Sequence, residues 1–164
     1  MRKRLALLVA LFMAAPNADA ATTRDLQVIA RAVGFINGLP RGVIDVAVID
    51  GPGADALIAA MGRGVTAGGV TLNPRRVTVG ALLASRARII IVPEGQTAAQ
   101  PAIAAAARSL GAVTLSTDMN CVQSRLCVVG VRALPRVEIV VSRDAAAASR
   151  VSFSQAFRVM IREI

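Results

Sequence analysis

Apolar residues recur every three or four positions at Leu26, Ile29, Val33 and Ile36, the spacing of one helix face, and Thr22-Thr23 ahead of them are cap-forming types. Gly38 and Pro40 are expected to end that helix. The pattern then changes to a β-branched run, Val43 to Ile49, typical of a buried strand. Gly51-Pro52-Gly53 turns the chain into a second helix over Ala54 to Met61, ended by Gly62 and Gly64. A weaker strand is expected at Val70 to Leu72 with Asn73-Pro74 as its breaker, and Val77 to Leu83 suits strand or short helix. Arg88 to Val92 is a second clear buried strand. Ala98 to Leu110 is alanine-rich and helical, with a cap at Thr97 and Gly111 past its end. Further strands are expected at Ala112 to Ser116, Val128 to Val131 and Val137 to Val141, the last two joined by the short Leu134-Pro135-Arg136 turn. Asp144 to Ser149 is ambiguous, and Ser152 to Ile164 reads as an amphipathic helix with Phe153, Phe157 and Met160 on one face. This order predicts a single-domain α/β fold: a mostly parallel sheet with an antiparallel C-terminal hairpin, flanked by helices.

The first residues follow a different rule. Arg2, Lys3 and Arg4 precede an unbroken apolar run from Leu5 to Ala15, and Ala18-Asp19-Ala20 places small residues where a signal peptidase reads. The run is about half of the ~20 residues needed to cross a bilayer. Residues 1–20 are therefore expected to be a cleavable signal peptide and residues 21–164 one exported, periplasmic domain.

Export and composition together narrow the chemistry. The chain carries a formal charge of +9, and after residue 20 every basic residue is Arg. The arginines are scattered, and only Phe35, Phe153 and Phe157 remain beyond the leader as aromatics for base stacking, so nucleic acid is not the expected partner. An anionic surface or an acidic partner suits the charge better. With no His in the chain, a Ser-His-Asp triad, a Cys-His nucleophile and a His-ligated zinc are all excluded. Asp and Glu are few and show no paired spacing, so an enzyme is not expected, and no cofactor is implied.

Three local features remain. Gly51-Pro52-Gly53-Ala54-Asp55-Ala56 has the G-x-G-x-x-A form between a strand and a helix, the context of a dinucleotide fingerprint. Pro52 lies between the glycines and no acidic residue stands about twenty positions on, which favours a plain strand-to-helix turn. Glu94-Gly95-Gln96-Thr97 also follows a strand. Together Asp50, Gly51, Gly53 and Glu94 form the candidate ligand or partner edge, because α/β sheets bind ligands beyond the carboxyl ends of their strands. Cys121 and Cys127 are the sole thiols; an intrachain disulfide is the economical reading, an isolated metal or redox pair the alternative, and a redox-responsive bond a further one.

The order of these motifs resembles the YfiR/HmsC-like family of small periplasmic proteins. Phe35-Ile36-Asn37-Gly38-Leu39-Pro40 is similar to the close of that family's first helix, with Leu39 where a Trp is usual. Val46 to Leu57 resembles its first strand and glycine turn, and Arg88 to Val92 its next clear strand. Val113 to Asp118, the Cys121 and Cys127 pair, Arg136 to Val141 and Val151 to Ser154 match its C-terminal third. Arg125-Leu126 replaces a usual Gly-Gly. The resemblance implies a regulator that binds the periplasmic domain of an inner-membrane diguanylate cyclase and so restrains cyclic-di-GMP synthesis and biofilm output. It also implies a homodimer, for which the apolar final helix offers one surface. The alternative from another class is a small-ligand-binding module related to one lobe of a transporter substrate-binding protein, with its pocket near Asp50-Gly51 and Pro93-Glu94.

Overall fold

The computed structural model describes residues 18–164, with side chains from Thr23 onward. The n-region and apolar run of the expected signal peptide lie outside the described residues. No helix among those described is long and apolar enough to cross a membrane.

Eight strands form one sheet in the order β2-β3-β1-β4-β5-β6-β7-β8. They are β1 (Gly42–Ile49), β2 (Thr66–Ala67), β3 (Val70–Val77), β4 (Ile89–Val92), β5 (Val113–Ser116), β6 (Val129–Arg132), β7 (Glu138–Val141) and β8 (Arg162–Glu163). Five central strands are parallel, and β6 and β7 form the antiparallel hairpin, Val129 opposite Val141. The predicted fold class is the observed one.

The alternation of side chains along the central strands divides the core. Val46 and Val48 of β1, Ile89 and Ile91 of β4, and Val113 and Leu115 of β5 point to one face. That face is covered by α1 (Ala18–Val33), α2 (Ala54–Gly62), α6 (Arg143–Ala148) and α7 (Gln155–Arg158). Ala47, Ile49, Ile90 and Val92 point to the other, covered by α3 (Leu82–Ser85), α4 (Gln100–Leu110) and α5 (Met119–Gln123). Both faces of β4 and of the second half of β1 are therefore buried, which is why Val46 to Ile49 and Ile89 to Val92 read as continuous apolar runs.

Several expectations are corrected. Thr22 and Thr23 lie inside α1, which already runs at Ala18, the alanine-rich start having high helix propensity. Asn73-Pro74 does not break β3, which continues to Val77 with Pro74 opposite Val46. Leu72 N donates to Val65 O, away from β1, while Val77 O accepts from Asp50 N. By alternation the nitrogen of Pro74 faces outward, beyond the end of β2, so no ladder bond is lost. Residues 79–85 settle as a 3₁₀ turn and α3. Thr97 caps nothing: α4 starts at Gln100, and Gln96 O accepts from Ala99 N and Gln100 N. Asp144 to Ala148 is helical because the Ser142 side chain accepts from Ala145 N.

The largest departure is at the end of the chain. Only Gln155–Arg158 is helical; Arg162 and Glu163 then pair with Val140 and Val141 as an added edge strand. Val159, Ile161 and Ile164 favour extended backbone, and the outer edge of β7 supplies ladder partners for it. Arg158 Nε donates to Glu163 Oε1 at 2.8 Å, clasping the reversal. Phe157 is buried and Met160 is exposed, so Phe153, Phe157 and Met160 do not share the apolar face of a final helix.

Candidate functional site

The chain leaves β1 for β3 on one side and leaves β4 for β5 on the other. The carboxyl ends of β1 and β4 therefore flank the topological switch point, where open α/β sheets form their crevice. The structure brings the four predicted residues to this rim. Asp50, Gly51 and Gly53 follow β1, and Glu94 follows β4; a Cβ on Gly53 would lie 3.5 Å from the Pro93 Cβ, and one on Gly95 3.6 Å from the Pro52 Cβ.

A side chain reaches into the crevice. Gln96 is 8% exposed, and its Nε2 donates to Asp50 O at 3.2 Å. Gly51 has φ 140°, and a Cβ there would sit 2.0 Å from Gln96 Nε2. Gly51, the first glycine of the fingerprint-like turn, thus makes room for a glutamine amide. Arg76 of β3 ties the rim from outside, donating to Asp50 at 2.7 Å and also to Asp55 in the first turn of α2. These two carboxylates hold the guanidinium above its ordinary range, Asp50 contributing most.

Beside this, a second polar cluster knits β4 to β5. Ser116 Oγ donates to Val92 O at 2.8 Å and accepts from Asp118 N at 3.0 Å. Asp118 caps α5 by accepting from Asn120 N, and Gln100 Nε2 donates to its other oxygen at 3.0 Å. Sequence reasoning missed Gln100, Ser116, Asp118 and Arg76. A buried Ser ending an apolar strand, followed two positions on by Asp, is the signal that points to such a cluster.

Asp25 of α1 lies near the same edge. Its Oδ1 accepts from Ala133 N at 2.8 Å. Burial raises its carboxyl above the ordinary value, the Ala133 bond pulls it down, and the charge of Glu94 raises it again. The native state holds this proton more tightly than the unfolded chain does. Its stabilising contribution is complete below the ordinary carboxylate range and is lost as pH rises through the native value. Asp25→Asn keeps the acceptor for Ala133 N. It is expected to be at least as stable as the parent near neutrality and to lack this part of the pH dependence. Thermal melts of both proteins between about pH 4 and about pH 7 check it; an unchanged difference across the range contradicts it.

A separate opening of about 440 Å³ lies between α1 and β7. Phe35 and Phe157 line it, stacked with ring centroids 5.2 Å apart. Val137 and Met160 stand exposed at its margin, and Arg24 and Arg31 of α1 form its charged rim. Among the described residues neither arginine has an ion-pair partner.

The cysteines are joined, with Cα atoms 5.2 Å apart. Cys121 and Cys127 are 0% and 1% exposed and pack with Ile90, Ile103 and Ala107 of the second core layer. Among the described residues no group of three or more metal-ligating side chains is assembled.

These features define a doubly wound α/β domain with the Gln96 side chain in the crevice at its switch point and an open apolar groove on one face. No family model and no curated protein matches the chain. Solved structures do. A conserved domain protein from Vibrio cholerae O1 biovar El Tor superposes with TM-score 0.58 at 10% identity, over 87% of this chain and 59% of that one. The ABC domain in complex with L-Trp from Streptococcus pneumoniae superposes with TM-score 0.57 at 9% identity, over 88% and 60%. At these identities the likeness is one of fold, and the chain spans about three-fifths of the length of either structure.

Proposed function

We propose that this protein is a periplasmic regulatory binding protein that docks on the periplasmic domain of an inner-membrane diguanylate cyclase and restrains it. The observation that carries this reading is the open apolar groove of α1 and β7, with Val137 and Met160 exposed beside two unpaired arginines. Apolar surface left uncovered beside charge is the character of a protein-binding patch. The sequence resemblance to the YfiR/HmsC-like family supplies the class of partner. Such a protein works by preferring one conformational state of its target and shifting that population.

Val137→Asp and Met160→Asp alter exposed positions and leave the core intact. Capture from envelope extract is expected to recover a membrane protein with a cyclase domain on the parent chain and to lose it on either variant. Equal recovery by parent and variants, or recovery of no cyclase at all, overturns the reading.

A second reading rests on the carboxyl edge. Asp50, Gly51, Gly53 and Glu94 do meet at one rim, and a neighbour of the same fold was solved in complex with L-Trp. A small-ligand module would predict a rise in melting temperature with a free amino acid. The first reading is preferred because Gln96 occupies that crevice.

A further inference from the structure

We propose that the amino-terminal half of β1 is a docking site for an extended acidic peptide segment of a partner protein, which would add to the sheet as a short strand. The inference stands on a different surface from the groove above and is independent of the cyclase reading.

β1 pairs with β3 along its whole length, from Gly42 opposite Val70 to Ile49 opposite Val77. On its other side β4 pairs only with Ala47 and Val48. The first half of β1 therefore has one neighbour where its second half has two. Which backbone groups this leaves open follows from alternation. Gly42 N donates to Gly69 O and Asp50 N to Val77 O, both toward β3. The even-numbered residues of β1 thus face β3, and Val43 and Asp45 turn their N–H and C=O groups to the open side. A row of such groups is a ready template for strand addition.

The space beside them is real. A groove of about 390 Å³ runs from Val43 and Asp45 to Ser85, Arg86 and Arg88. Val43 is 68% exposed, an unusual position for a β-branched residue in the central region of a sheet. The unpaired stretch accommodates roughly four extended residues at ~3.3 Å each.

Charge selects the occupant. The carboxylate of Asp45 is already taken, accepting from Asn73 Nδ2 at 2.6 Å and paired with Arg75 Nη2 at 3.0 Å. Arg86 and Arg88 have no ion-pair partner among the described residues. Arg86 also holds a left-handed φ of 52° at the end of α3, a place where glycine is the usual residue. A groove with open backbone groups and two free guanidinium groups suits a strand whose alternate side chains are carboxylates. A second copy of this strongly basic chain would bring like charge to it and is disfavoured.

The probe is a fluorescent hexapeptide alternating Val and Glu, compared with its Val and Lys counterpart and with a version N-methylated at alternate amides. The Val-Glu peptide is expected to bind the protein at least about tenfold more tightly than either control, read by fluorescence anisotropy. It should also slow hydrogen exchange at the Val43 and Asp45 amides. The double variant Arg86→Gly with Arg88→Gln relieves the left-handed φ, so it should keep its fold by circular dichroism while losing about tenfold in affinity. Equal binding of the N-methylated peptide would mean adsorption by charge alone and would overturn the proposal. So would displacement of the peptide by inorganic phosphate with no change in Val43 exchange.

Discussion

Gly51→Ala is expected to destabilise the protein by about 3 kcal/mol, from backbone strain at a positive φ together with overpacking. At Gly51 both causes meet: φ is 140°, and the added methyl would fall 2.0 Å from Gln96 Nε2. The clash cannot be relieved cheaply. Gln96 is buried, its amide donates to Asp50 O, and its own carbonyl accepts the first two N–H groups leading into α4. Pushing it aside disturbs the strand-to-helix connections after both β1 and β4. A double-mutant cycle separates the two causes. Gln96→Ala makes room for the methyl but leaves the backbone strain, so the double variant should lose less than the sum of the single losses. Chemical denaturation of the four proteins measures this, and simple additivity would show that Gln96 is not the obstacle.

Replacing both cysteines by alanine is expected to cost about 2 kcal/mol through the entropy of so short a loop, with more from lost packing. The sulfurs lie in the core layer between β4 and α4, so their removal leaves a gap beside Ile90 and Ile103. Their burial also speaks to the redox-responsive alternative. A thiolate reductant must reach a sulfur atom, and neither is reachable in the folded protein. Thiol trapping is expected to find no free cysteine under mild reductant until the protein is unfolded. Ready reduction of the native protein would instead restore the switch.

The parts of the fold legible in the sequence are those where burial speaks through composition. Val46 to Ile49 and Ile89 to Val92 are covered on both faces, so every position is apolar and the strands announce themselves. Where an element depends on a partner distant in sequence, local pattern misleads. Pro74 reads as a breaker because its missing N–H is costly inside a sheet, yet at this register that nitrogen faces outward. The last residues have helix-compatible spacing, but the free edge of β7 recruits them as a strand. The candidate rim was similarly half legible. Glycines and carboxylates after two strands mark the edge, because the carboxyl ends of adjacent parallel strands lie together. What occupies it was not legible: Gln96 and Arg76 carry no local signature, and only the three-dimensional register brings both to Asp50.

The stack of Phe35 on Phe157 joins the end of the first helix to the last helical turn. Asn37 and Ser152 reinforce it with a side-chain hydrogen bond spanning 115 positions of chain. Closing so long a loop carries an entropic cost that the contacts of α1 with α2 and β3, nearer in sequence, do not share. A chain made from its amino end can therefore lay α1 on α2 and β3 before its final residues emerge, and closes this clasp last.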